Sequence, residues 1–157
     1  MIMNKKLIHY NHSSRNGKKI SYIVLHDTGN TAASADALNH YKYFSRGNRK
    51  ASAHYFVDQD GVVQIIEDAR SAWHCGDGRG KYGISNSNSI GIEICINEGN
   101  NMTKTLDFTR ELIRELMDFY SIPKERVIRH YDASRKICPA SMHPNNWGKW
   151  WGFWKSL

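Results

Sequence analysis

The sequence predicts an α/β fold, a single domain with a central mixed β-sheet flanked by helices. Three observations carry this. Short apolar runs rich in strand formers recur along the chain. Two segments, 31–45 and 106–120, carry apolar residues at helical spacing instead. Strand-like and helix-like segments alternate, the pattern of layered α/β packing. At 157 residues the chain is long enough for one domain, 1–157, with a substantial core.

Taken in order, residues 21–26 (SYIVLH) form a short apolar run and read as a buried strand. Residues 31–45 place Ala35, Leu38, Tyr41 and Phe44 on one helical face, with Thr31 or Ser34 as cap. Residues 54–57 and 62–66 flank Asp58-Gln59-Asp60-Gly61, a hairpin signal with Asp-Gly at the turn. Residues 69–89 are rich in Gly, Asn and Ser and read as a long loop, a feature usually kept for function. Residues 89–97 (SIGIEICIN) are the plainest strand. Residues 106–120 are the plainest helix, with Leu112, Ile113, Leu116, Met117 and Tyr120 in one stripe and a stop at Ser121-Ile122-Pro123. Residues 127–130 give a short strand. The tail holds Trp147, Trp150, Trp151 and Trp154, read as packing rather than as exposed stacking platforms.

Composition narrows the function. Hydrophobic residues make up 40% and charged residues 24%, ordinary for a globular chain. No stretch approaches ~18 apolar residues, so no membrane insertion is expected. The first eight residues have two lysines and no apolar stretch behind them, so no secretory signal is read. Cys75, Cys95 and Cys138 are an odd number, which argues against a disulfide framework and leaves one free as a ligand. The net charge is +7 and fits an anionic partner. The basic residues are scattered, with no ribonucleoprotein motif or zinc-finger spacing, so nucleic acid is not expected.

Three segments carry chemistry. Glu93 sits between isoleucines; either it has a function, or its face of the strand meets solvent. His130 ends a strand and Cys138 follows eight residues later, a pair that can fold back on one metal or be simply packed. Lys136, two residues before Cys138, points to the same side of an extended segment. His26 ends the first strand. Ligands at the ends of neighbouring strands converge at one sheet edge, and three of them leave a fourth position open. His9, His12, His40 and His143 read as surface groups, and Asp27 as a turn former that orients the loop after His26.

Five ordered motifs resemble a known family. They are VLHDTGN at 24–30, AHYFV at 53–57, AWHCGDG at 72–78, SIGIE at 89–93, and Arg129-His130 followed by Lys136-Ile137-Cys138-Pro139. Together they resemble the type 2 N-acetylmuramoyl-L-alanine amidases, which include phage endolysins and autolysins and are similar in fold to the peptidoglycan recognition proteins. The match runs from about residue 22 to 147.

The resemblance implies one zinc ion (Zn2+) held by His26, His130 and Cys138. It implies Glu93 as the catalytic carboxylate, Lys136 as the catalytic lysine, and His74 on a loop bordering the substrate groove. Some family members place a catalytic tyrosine near 53–55, where both His54 and Tyr55 stand here. The implied substrate is bacterial peptidoglycan, cut between N-acetylmuramic acid and L-alanine. A C-terminal wall-binding domain outside this chain is an implied partner. The enzyme is expected to reach the wall by phage release or by export. The competing readings are a binding module, whose relatives typically lack the cysteine ligand, and a purely structural zinc site, which usually has four protein ligands.

Overall fold

A computed structural model describes residues 1–157. Eight strands and four α-helices follow in order. They are β1 (Met3–Lys5), β2 (His12–Ser14), β3 (Tyr22–Asp27), α1 (Ala37–Ser45), β4 (Tyr55–Asp58), β5 (Gly61–Gln64), β6 (Arg70–Ala72), β7 (Ser89–Ile94), α2 (Met102–Tyr120), β8 (Val127–Arg129), α3 (His130–Ser134) and α4 (Pro144–Lys155). Six strands form one mixed sheet in the order β1-β5-β4-β7-β3-β8. The β4–β5 hairpin is antiparallel, while β1–β5, β4–β7, β7–β3 and β3–β8 are parallel. A separate antiparallel pair joins β2 to β6.

The two sheet faces differ because strand side chains alternate. Ile90, Ile92 and Ile94 of β7 join Ile23, Leu25, Tyr55 and Val57 on one face, under the Leu112, Ile113 and Leu116 stripe of α2. The other face carries Gly91, Glu93 and Cys95. It is not left to solvent: Gly91 and Cys95 are buried, and Phe56, Cys95 and Ala37 of α1 share a second core cluster. Trp147, Trp150 and Phe153 of α4 complete the first core, and Trp154 Nε1 donates to the Val127 carbonyl at 3.1 Å. The tail tryptophans therefore pack against the end of the sheet, apart from the half-exposed Trp151.

Several boundaries move. α1 begins at Ala37, not Thr31, because Asp36 is its cap and its Oδ1 accepts from Asn39 N at 2.7 Å. Residues 31–33 are held instead by Glu98 N on the Thr31 carbonyl and Asn97 Nδ2 on the Ala33 carbonyl. α2 starts at Met102, a turn earlier than the stripe suggests, because Asn101 caps it by accepting from Lys104 N. The loop 69–89 contains β6 and two 3₁₀ turns. Strands β1 and β2 are three residues each without apolar alternation, and only pairing to β5 and β6 defines them.

His54, just ahead of β4, locks three strands together. Its Nδ1 accepts from Gly91 N at 3.0 Å and its Nε2 donates to the Arg70 carbonyl at 3.0 Å. Burial, offset in part by that carbonyl and reinforced by the Arg15 guanidinium, lowers its pKa to about 3. Tyr55 projects from the opposite face, its hydroxyl donating to Asp68 at 2.7 Å.

Two predictions follow from this packing. Leu112→Ala removes a buried stripe residue and should cost about 2–5 kcal/mol in denaturant unfolding, whereas Phe119→Ala at an exposed site should stay within about 0.5 kcal/mol. His54 is depressed in the folded state, so the unfolded chain takes its proton first as pH falls. The stability this neutral imidazole supports is complete above pH 6.5 and is lost between 6.5 and about 3. At ~1.4 kcal/mol per pH unit, the stability gap between wild type and His54→Gln should shrink by roughly 3 kcal/mol from pH 7 to pH 4.5. Urea titrations at both pH values check this, and a constant gap contradicts it.

Candidate functional site

Parallel register builds the site. His26 of β3 stands directly opposite Glu93 of β7, and Leu25 opposite Arg129 of β8, so His130 follows at the level of His26. Three adjacent strands thus deliver Glu93, His26 and His130 in a row at their carboxyl ends, where open α/β sheets place their ligands. α3 then turns the chain. Arg135 closes it in the left-handed region, φ 71°, and Tyr131 N donates to the Cys138 carbonyl at 3.1 Å. Cys138 returns beside His26, with Sγ 3.7 Å from His26 Nδ1. Asp27 anchors the segment that follows, its Oδ2 accepting from Ser141 N at 2.7 Å.

The donor atoms of His26, His130 and Cys138 all lie within 4.8 Å of one another, and all three residues are buried. Two imidazoles and a thiolate are donors that zinc takes. Two observations test the fit. His130 Nε2 is taken up by Asp77 Oδ1 at 2.7 Å, while its buried Nδ1 has no hydrogen-bond partner. An orphaned buried nitrogen is costly, and a metal satisfies it. Burial first, then the charges of His130 and Lys136, holds His26 well below the ordinary histidine range, which keeps it neutral and able to ligate. The same surroundings push the Cys138 thiol up to about 12, mainly through burial and the Glu93 carboxylate. A bound divalent cation reverses that penalty and favours the thiolate.

Glu93 is half-buried and its Oε2 is shielded without a partner. Burial, with Asp27 adding to it and Lys136 opposing it, holds the carboxyl well above the usual range. The carboxyl has no ion-pair partner, the nearest opposing charge being that of Lys136. Lys136 is exposed at the mouth of the site. It lines a cleft of about 310 Å³ together with Lys50, Trp73, His74, Asp77 and His130.

The loop 69–89 covers this end of the sheet and supplies two groups. His74 borders the cleft, and its Nδ1 lies 3.0 Å from His26 Nε2. Asp77, to which the sequence analysis assigned no role, orients His130 across 53 positions of chain. Its sequence signal was Gly76-Asp77-Gly78. A Cβ on Gly78 would lie 2.1 Å from the Ala133 carbonyl, so only glycine lets the loop rest on α3. His54 and Tyr55 are both engaged elsewhere. Cys75 and Cys95 are buried free thiols away from the donor group.

No helix is long and apolar enough to cross a membrane. The family profile described as N-acetylmuramoyl-L-alanine amidase matches residues 16–141. The chain is 39% identical over 122 residues to the N-acetylmuramoyl-L-alanine amidase CwlH of Bacillus subtilis (strain 168), covering 78% of this chain and 48% of CwlH. It is 36% identical over 121 residues to XlyA of the same organism, covering 77% of this chain and 40% of XlyA. The chain thus spans less than half the length of these curated relatives. The solved catalytic domain of XlyA superposes with a TM-score of 0.87 at 31% identity, covering 99% of this chain and 98% of that one. With the matched profile, the shared fold and the His-His-Cys group at its sheet edge, the chain belongs to the N-acetylmuramoyl-L-alanine amidase family.

Proposed function

We propose that this chain is the catalytic domain of a zinc-dependent amidase that hydrolyses the bond between N-acetylmuramic acid and L-alanine in bacterial peptidoglycan. The observation that carries the reading is the three-donor group with an unpartnered carboxylate at its side, Glu93 being the register partner of His26. A structural zinc takes four protein ligands, whereas three leave room for chemistry. One zinc bound there supplies Lewis acidity, which activates water and polarises a carbonyl. Two neutral imidazoles and one thiolate leave a net +1 on the centre, so that acidity is retained.

Glu93 Oε2 accepts the proton of the attacking water and passes it to the alanine nitrogen, because an amine leaves poorly as an anion. Lys136 Nζ, at the cleft mouth, stabilises the negative charge that develops on the lactyl oxygen. The cleft lined by Lys136, His74 and His130 is our assignment for the entry of the bond from the solvent side. The +7 charge assists encounter with the anionic wall. The enzyme acts at the wall as an endolysin or an autolysin, and a wall-binding domain outside this chain is its proposed partner.

Zinc stoichiometry and cleavage of a defined muropeptide, measured side by side on four variants, test these roles. Wild type should hold one zinc and lose activity on chelation. Glu93→Gln should keep zinc and fold while losing about 10²–10⁴ in rate. Lys136→Ala should keep zinc and lose about 10²–10³. Cys138→Ala should lose zinc and activity together, and Cys138→Asp should keep part of both. Near-normal activity of Glu93→Gln contradicts its role as base; loss of zinc in that variant moves it into the metal shell. Retained activity after exhaustive chelation contradicts the zinc reading itself.

Salt provides a separate check. The Debye length falls from ~10 Å at 0.1 M to ~3 Å at 1 M. Lysis of intact cell walls should therefore fall with salt more steeply than cleavage of a small soluble muropeptide. Equal dependence would show that the surface charge plays no part in encounter.

A further inference from the structure

Between the Ser85 carbonyl and His26 runs a chain of hydrogen bonds in which every donor can be assigned. The Ser89 hydroxyl donates to the backbone carbonyl of Ser85 at 2.6 Å. A hydroxyl has one proton, so Ser89 Oγ is left as an acceptor toward His74 Nε2, 3.1 Å away. His74 therefore carries its proton on Nε2 and presents a lone pair at Nδ1. His26 Nε2, 3.0 Å from that lone pair, must be the protonated nitrogen. The lone pair of His26 is then on Nδ1, the atom that faces Cys138 Sγ at 3.7 Å.

We propose that His74 is a positioning residue. It transmits the fixed direction of the Ser85 carbonyl into the tautomer and ring plane of His26, so that Nδ1 is the ligating atom. This rests on the zinc reading proposed above and deepens it. A backbone carbonyl can only accept, so the relay has one stable sense. Neither ring nitrogen of His74 remains free for substrate.

Independent features hold His74 in place. Asn86 Oδ1 accepts from the backbone N–H groups of both His74 and Cys75, at 3.0 and 2.8 Å. The His74 and His26 rings meet edge-on at 87°, with centroids 5.1 Å apart. A Cβ on Gly91 would lie 2.5 Å from His74 Cγ, so the glycine in the middle of β7 makes the room this ring occupies. The outcome parallels His130, whose Nε2 is held by Asp77 and whose Nδ1 is left without a partner. The two supports differ in charge. Asp77 brings a carboxylate, whereas the His74 imidazole is neutral, so His26 is oriented without adding a second negative charge beside the centre. Outer partners of metal-bound histidines typically govern affinity by 10–100-fold.

The test reads tautomer and affinity rather than turnover. Long-range ¹H–¹⁵N spectra of the zinc-free wild-type protein should show His26 and His74 both protonated at Nε2. Competition with a chromophoric chelator should show zinc held about 10–100-fold more weakly by His74→Leu. His74→Asn, whose Oδ1 can stand near the place of Nδ1, should recover zinc affinity to within a few-fold of wild type. If His74→Leu does not fold, the wild-type spectra and the asparagine variant still decide. A His26 protonated at Nδ1 overturns the proposal, as does unchanged zinc affinity in His74→Leu. Because neither readout needs substrate, failure here and failure of the amidase reading are distinguishable.

Discussion

The site depends on the parallel register of three strands. Because β3 pairs with β7 so that His26 faces Glu93, and with β8 so that Leu25 faces Arg129, two ligands and the candidate base arrive together at one sheet edge. Neighbouring strands lie about 4.8 Å apart, a distance suited to groups that must share one small ion and one water. A one-residue slip would turn His26 and Glu93 onto the α2 face. The isoleucines of β7 prevent that slip, since it would take Ile90, Ile92 and Ile94 out of the α2 core and bury Glu93 under α2. The apolar core and the polar site are thus one constraint seen from two faces.

That polar face is expensive. His130 Nδ1 and Glu93 Oε2 are buried without partners, and the Cys138 thiol is pushed far from its anionic form. Such groups cost stability unless something compensates them. The protein surrounds them with supports that are rigid: Asp77 on His130, Ser141 on Asp27, and a loop pressed against α3 at Gly78. The arrangement matches a centre prepared for a cation, in which the ion offsets the electrostatic cost and the scaffold fixes direction.

Elsewhere on the same face, His54 and Arg15 are engaged by backbone groups. His54 uses both nitrogens within the sheet, and Arg15 reaches the carbonyls of Asp68, Ser87 and Ser89. These contacts tie the long covering loop to the strand edge. The contrast between satisfied His54 and unsatisfied His130 separates a histidine that holds the fold from one that is available to a ligand.

The sequence by itself determined the α/β class, the strand of β7, the stripe of α2 and the residue types at the site. Those signals are local: apolar periodicity, and histidine, cysteine and glutamate within ordered motifs. It did not determine β1 or β2, because a three-residue strand is defined by its partner rather than by its pattern. It put the start of α1 at Thr31 or Ser34, because the contacts that pull 31–33 away from the helix come from Asn97 and Glu98, more than sixty residues on. It left His54 and Tyr55 as alternatives, since only alternation within the formed sheet sends them to opposite faces. It gave no role to Asp77, and it could not say which nitrogen of either histidine is free. A nitrogen's role is set by whatever accepts the proton on the other one, and those acceptors lie 53 and 48 residues from their histidines. Residue types were written in the chain; their directions were decided only when distant segments packed together.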